Sequence, residues 1–153
     1  MTKIGKQAEK AFVQLFESKG HKVEKSTKEQ DMFEHWDFLI NDEHKMEIKS
    51  RKRANRNDSE LKDDWIYLEF LNVIGKPGWL YGKADFIAFQ RPEGFLVVKR
   101  TDLVELAERL VVHDVWSNRP QPYESFRRDS RPKERVSVLL IDDVLTIPHK
   151  VIK

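Results

Sequence analysis

Residues 35–53 read HWDFLINDEHKMEIKSRKR, and the alternation inside this stretch decides the fold. A β-strand turns every second side chain to the same face. In the first arm Trp36, Phe38 and Ile40 share one face, and His35, Asp37 and Leu39 the other. In the second arm Met46 and Ile48 lie opposite Lys45, Glu47 and Lys49. A loop of Asn41, Asp42 and Glu43 pairs Trp36 with Ile48, Phe38 with Met46 and Asp37 with Glu47, so that apolar meets apolar and carboxylate meets carboxylate. A loop shorter by one residue would oppose Asp37 to Ile48 and place the apolar sets on opposite faces, a mismatch that sheets resist. The loop lacks the glycine that such hairpins commonly use at their left-handed position.

Two carboxylates opposed across a hairpin repel each other. A divalent cation offsets that repulsion, and hard oxygen donors favour Mg²⁺ or Mn²⁺ over zinc. Lys45 and Lys49 on the same face leave a second account open, a solvated hairpin whose charges neutralise one another.

The 153 residues fit one domain and are enough to bury a core. Charged residues make up 35% of the chain, the mean hydropathy is −0.66, and no apolar run approaches the ~18 residues of a membrane helix. The opening MTKIGKQAEK lacks the apolar core of a secretory signal. A cytoplasmic protein with no membrane partner is expected. The absence of cysteine excludes disulfides, thiol nucleophiles and cysteine zinc sites, and His21, His44, His113 and His149 show no ligand spacing.

The net charge is only +2, yet its distribution is uneven. Lys45, Lys49, Arg51, Lys52, Arg53 and Arg56 crowd into residues 45–56 against the single acid Glu47. A second group, Arg119, Arg127, Arg128, Arg131, Lys133 and Arg135, is interleaved with Tyr123 and Phe126. Clusters of this kind neutralise phosphates and supply sequence-independent nucleic-acid affinity; taken singly, each reads equally as a solvated loop.

Working outward, residues 3–19 carry Ile4, Ala8, Ala11, Phe12, Leu15 and Phe16 at helical spacing, with Gly20 as the stop. Glu9 lies about 100° around the wheel from the centre of that stripe, at its border. Beyond the hairpin, ANRNDSELKDD reads as a loop and WIYLEFLNV as a third strand, with Glu69 a possible neighbour of the carboxylates. NVIGKPGWLYGK supplies turns around Trp79 and Tyr81, rings able to stack on a base or to fill a core. ADFIAF and GFLVVKR form a second hairpin across Arg91, Pro92 and Glu93, a helix runs from Thr101 and Asp102 to about Val112, and RVSVLLI is a final strand before a short tail. This order predicts a mixed sheet flanked by helices.

The opening GKQAEKAFVQLFESKGHKV with Glu9, then Ser26, Trp36-Asp37 and the strand MEIKSRKR, resembles the PD-(D/E)XK nuclease superfamily. Within it, residues 4–53 are most similar to archaeal Holliday-junction resolvases. Trp36 stands where that motif usually has proline, and GKPGWLYGKADFIAF looks more like small phage-type nucleases of the same superfamily. The resemblance implies a restriction-endonuclease-like α/β fold over residues 1–153, a Mg²⁺-dependent endonuclease for which Mn²⁺ substitutes, and branched or structured DNA as partner. It implies Asp37 and Glu47 as metal ligands, Glu9 as a supplementary ligand, the Ile48 carbonyl as a further oxygen, and Lys49 as the group addressing the attacking water. A homodimer follows from the same likeness. Arg51, Lys52, Arg53, Lys76, Lys83, Arg127 and Arg128 are the expected phosphate contacts, with His35 opposite Lys49 as a possible relay. A non-catalytic nucleic-acid binder on this fold, or an RNA-cleaving member, are the alternatives.

Overall fold

The hairpin forms in the register that its alternation predicts: Phe38 faces Met46, Leu39 faces Lys45 and Ile40 faces His44. Asn41 and Asp42 supply the left-handed backbone, with φ of 52° and 57°, a conformation their short polar side chains tolerate better than most. Asn41 Oδ1 accepts the Lys22 amide at 2.8 Å and Asp42 pairs with the Lys22 ammonium at 2.9 Å, which anchors the turn without a glycine.

The computed structural model describes residues 2–53 and 60–153, so Arg56 and much of the polar loop lie outside the described residues. In chain order the elements are α1 (Lys3–Ser18), β1 (Val23–Lys25), a π-turn (Gln30–Glu34), β2 (Phe38–Ile40), β3 (His44–Lys49), β4 (Trp65–Leu71), a 3₁₀ turn (Trp79–Tyr81), β5 (Phe86–Arg91), β6 (Gly94–Lys99), α2 (Arg100–Leu110), β7 (Val112–Trp116), β8 (Glu124–Ser125), β9 (Arg135–Leu140), α3 (Ile141–Val144) and β10 (His149–Ile152). They fall into two units, one of residues 1–51, 83–100 and 148–153, the other of 52–82 and 101–147.

The first unit is a six-stranded mixed sheet in the order β1-β2-β3-β5-β6-β10. Only β3 and β5 run parallel, with Glu47 beside Ile87 and Lys49 beside Phe89. Helix α1 begins at Thr2, whose hydroxyl accepts the Gly5 amide at 3.0 Å, and ends ahead of Gly20 at φ 87°. Its buried stripe is Ala8, Phe12 and Phe16, packed with Phe38, Ile40, Met46, Ile48 and Phe95. Phe12 stacks on Phe16 at 4.1 Å and meets Phe95 edge-on at 5.5 Å. Each such phenyl contributes ~1.5–3 kcal/mol through burial. Ile4, expected on that stripe, is exposed instead, because it sits in the first helical turn, short of the core cluster.

The second unit pairs β4 with β9 antiparallel and β7 with β8 in a short parallel ladder. Ile66, Leu68, Phe70, Trp79, Leu80, Leu103, Leu106, Ala107, Val111, Val138, Leu139 and Val144 are its buried apolar side chains among the described residues. WIYLEFL is therefore not a third strand of the hairpin's sheet. Its alternation is correct, but alternation specifies a face and not a partner. The sequence also hid β1, β7, β8, β10 and α3. These are elements of two to five residues, and β7 is exposed along its length. Together the elements form a restriction-endonuclease-like α/β arrangement. Among the described residues no helix is long and apolar enough to cross a membrane.

The second hairpin turns on Pro92 and Glu93 alone, because Arg91 remains in the ladder opposite Gly94. Gly94 takes φ 96°, and a Cβ there would lie 2.0 Å from the Ile152 carbonyl oxygen. Gly94→Ala is expected to lower unfolding stability by about 1–3 kcal/mol, measured by urea denaturation.

Candidate functional site

Asp37 enters the site through a break in the hairpin. The ladder ends at Phe38, the Asp37 amide donates to the Met46 carbonyl at 2.8 Å, and Asp37 Oδ2 accepts the Ile48 amide at 2.7 Å. The carboxylate thus takes a donor that a longer ladder would have given to backbone. Trp36 and His35 consequently fall outside the paired strands. His35 ends the π-turn at φ 59° and is not a ladder partner of Lys49.

Strand β3 presents Met46 and Ile48 to the α1 core and, by alternation, Glu47 and Lys49 to the other face. Glu47 is 5% exposed and Asp37 4%. Asp31, on the π-turn, completes the group: one carboxylate oxygen from each of Asp31, Asp37 and Glu47 lies within 4.8 Å of the other two. An octahedral magnesium shell, with oxygens at ~2.0–2.1 Å from the ion, separates opposite ligands by about 4.2 Å. The three carboxylates fit such an ion with little adjustment, and an all-oxygen donor set suits a hard cation.

Electrostatics state the same fit from the side of cost. Burial pushes the Glu47 carboxyl well above its usual range, the Lys49 charge opposes this, and a hydrogen bond and the charge of Asp37 add to it. Asp31 is raised by burial and by Asp37. Lys49 Nζ stands 3.9 Å from Glu47 Oε2.

Glu9 is buried as its border position allows. Its Oε1, however, accepts from Lys25 Nζ at 2.6 Å. Burial raises the Glu9 carboxyl, the Lys25 hydrogen bond opposes the rise, and the Asp37 charge adds to it. Burial lowers the Lys25 ammonium, and Glu9 together with the charges of Asp37 and Asp31 more than offsets this. An open groove of about 420 Å³ beside this pair is lined by Lys6, Lys10, Val13, Gln14 and Phe38.

Sequence reasoning missed Asp31 and Lys25. A signal for the π-turn existed: Thr27 and Gln30 stand at capping-box spacing, and they exchange hydrogen bonds of 2.9 and 3.1 Å. The remaining expected residues separate. Arg51 closes β3, its amide 3.5 Å from Gln90 Oε1, and Lys83 is exposed. In the second unit Lys52, Arg53 and Lys76 are exposed. Arg127 lies over the Trp116 ring at 3.7 Å. The Arg128 guanidinium bonds to Glu134, with Nε 2.9 Å from Oε1, and Glu134 is fully buried. Glu69 Oε1 accepts the Trp79 amide at 3.4 Å and is not on a strand of the six-stranded sheet. Trp79 is a buried core ring, not a stacking platform. The exposed Tyr81 donates to Glu108 at 2.9 Å.

The mixed sheet with its clustered carboxylates resembles PD-(D/E)XK-type nuclease folds in general. Comparison of the chain with protein-family models, curated proteins and solved structures found no match.

Because the Glu47 carboxyl is raised, the folded chain holds that proton more tightly than the unfolded chain. This contribution is complete below the unfolded pKa and is lost as pH rises through the folded value. Glu47→Gln cannot ionise, so under chelator at pH 8 it should melt at least about 2 °C above the parent. Added Mg²⁺ should raise the parent's melting temperature and leave the variant's nearly unchanged, as scanning fluorimetry would read. Arg128→Ala strands the buried Glu134 carboxylate and should cost about 1–3 kcal/mol of unfolding stability in urea titrations.

Proposed function

We propose that the chain is a Mg²⁺-dependent endodeoxyribonuclease that hydrolyses phosphodiester bonds in branched or otherwise structured DNA, in the manner of junction resolvases acting in recombination or repair. The observation that carries this reading is the convergence of one carboxylate oxygen from each of the buried Asp37 and Glu47 and the half-buried Asp31 within 4.8 Å, with the Lys49 ammonium 3.9 Å from the Glu47 carboxylate.

Asp31, Asp37 and Glu47 would hold the cation, with the Ile48 carbonyl as a further oxygen and Glu9 acting through a water. When bound, the ion acidifies water and offsets charge on a scissile phosphate. Lys49 orients the attacking water and steadies the negative charge that develops on the phosphate oxygens. Asp37, fixed by the Ile48 amide at 2.7 Å, keeps its place without reorganisation, which is what preorganised catalysis requires. Lys25 holds Glu9 beside the cluster.

In the first unit Lys6, Lys10, Lys25, Arg51 and Lys83 are the phosphate contacts; the second unit has its own in Lys52, Arg53, Lys76 and Arg127. Arg128 contributes through Glu134 and the fold. By analogy with resolvases, the product carries a 5′-phosphate and two copies cut two strands.

Plasmid, four-way junction and RNA substrates incubated with Mg²⁺, Mn²⁺ or chelator test the reading. Metal-dependent DNA cleavage is expected, falling at least about 100-fold in Lys49→Ala while DNA binding persists in a gel-shift assay. Binding without cleavage under any cation would replace this reading with that of a non-catalytic binder, and preferential cleavage of RNA would reassign the substrate.

A further inference from the structure

Glu9 is a buried carboxylate on which the charges of Asp37 and Asp31 act, yet it does not belong to the group of Asp31, Asp37 and Glu47 whose oxygens lie within 4.8 Å of one another. What it meets instead is an ammonium, Lys25 Nζ, 2.6 Å from its Oε1.

That ammonium is placed by the fold. Lys25 pairs with Phe38 in the β1–β2 ladder, and the next amide, that of Ser26, donates to the Asp37 carbonyl at 2.9 Å. Lys25 Nζ also lies over the Phe38 ring, 4.9 Å from its centre, so a carboxylate and an aromatic face both hold it. The charges of Asp37 and Asp31 reach it as well as that of Glu9. Its side chain is nevertheless 53% exposed. An ammonium carries three N–H groups, and those not donated to Glu9 remain accessible from outside.

Charge balance gives this lysine its role. When ionised, Glu9, Asp31, Asp37 and Glu47 bring four negative charges together, and the ammonium groups that act on them are those of Lys25 and Lys49. These two and a single divalent ion match the four carboxylates in full. A second ion would leave a surplus of positive charge, whereas removal of Lys25 would leave Glu9 without its counter-charge. In two-metal sites the second ion clamps a further oxygen of the phosphate. A lysine ammonium, a compact point charge with rotatable donors, can hold such an oxygen too.

We propose that the Lys25 ammonium stands in for a second metal ion: it neutralises Glu9, offers its remaining N–H groups to the phosphate, and holds the site to one divalent cation. This rests on the metal-dependent reading above and deepens it, because it fixes how many ions the carboxylates take and why.

Counting bound Mn²⁺ on the DNA-free protein by electron paramagnetic resonance tests this without recourse to activity. About one ion per chain is expected for the parent and for Lys25→Arg, which keeps the charge, and about two for Lys25→Met, which removes it. Ions paired at ~3.5–4 Å give a spin-coupled spectrum that a lone ion cannot, and Lys25→Met should show it. The double variant Lys25→Met with Glu9→Gln should return to one uncoupled ion, because Glu9 then no longer supplies a charge for the second. Melting temperatures under chelator provide the folding control. Two ions on the parent would overturn the proposal, a result that needs no variant. So would a folded Lys25→Met that still takes one ion, even if its DNA binding weakens, since Lys25 would then be a phosphate contact alone. A parent that binds no ion would sink this proposal and the metal-dependent reading together. The expected counts in a protein that cleaves no nucleic acid would refute catalysis and leave the role of Lys25 standing.

Discussion

The structure of the site depends on one hydrogen bond, that from the Ile48 amide to Asp37 Oδ2 at 2.7 Å. It ends the β2–β3 ladder and puts a buried carboxyl group where a backbone carbonyl would otherwise sit. It also commits Asp37 to the company of Glu47 and Asp31. In an apolar interior that company is unfavourable: burial and the neighbouring Asp37 push the Glu47 carboxyl well up and raise that of the half-buried Asp31. A chain selected only for stability would place hydrophobic side chains there. The cost is tolerable because α1 packs Phe12 and Phe16 against Phe38, Met46 and Phe95 on the sheet's other face, and those contacts stabilise the strands that carry the acids.

How much of this was legible in the sequence follows from the range of each signal. The hairpin register could be read because both arms alternate and a one-residue slip would invert every side chain; the pairing of Phe38 with Met46 agrees. Helix α1 could be read because its apolar spacing spans four turns and ends on a left-handed glycine. The hairpin's premature end could not, since it arises when a side chain competes with the backbone for an amide. Strand partnership was equally hidden. WIYLEFL alternates as well as any strand in the chain, yet whether it joins β3 or β9 is decided by tertiary packing.

The acidic group was legible in two members of three. Asp37 and Glu47 lie on adjacent arms, whereas Asp31 arrives on a five-residue π-turn that no periodicity announces. Arginines misled in a different way. Arg128 reads as part of a basic patch, but its guanidinium satisfies the buried Glu134, and an ion pair and a phosphate contact look alike in a string of letters.

The first unit is assembled from three stretches of chain, with the second unit's residues lying between them in sequence. Its only parallel pairing joins Glu47 to Ile87, and such a crossover must close a long loop before any contact rewards it. Strand β3 therefore acquires its inner neighbour only after the intervening residues have been made and brought back. Neither unit can be transplanted as an uninterrupted fragment, and in exchanges between proteins the two would travel together.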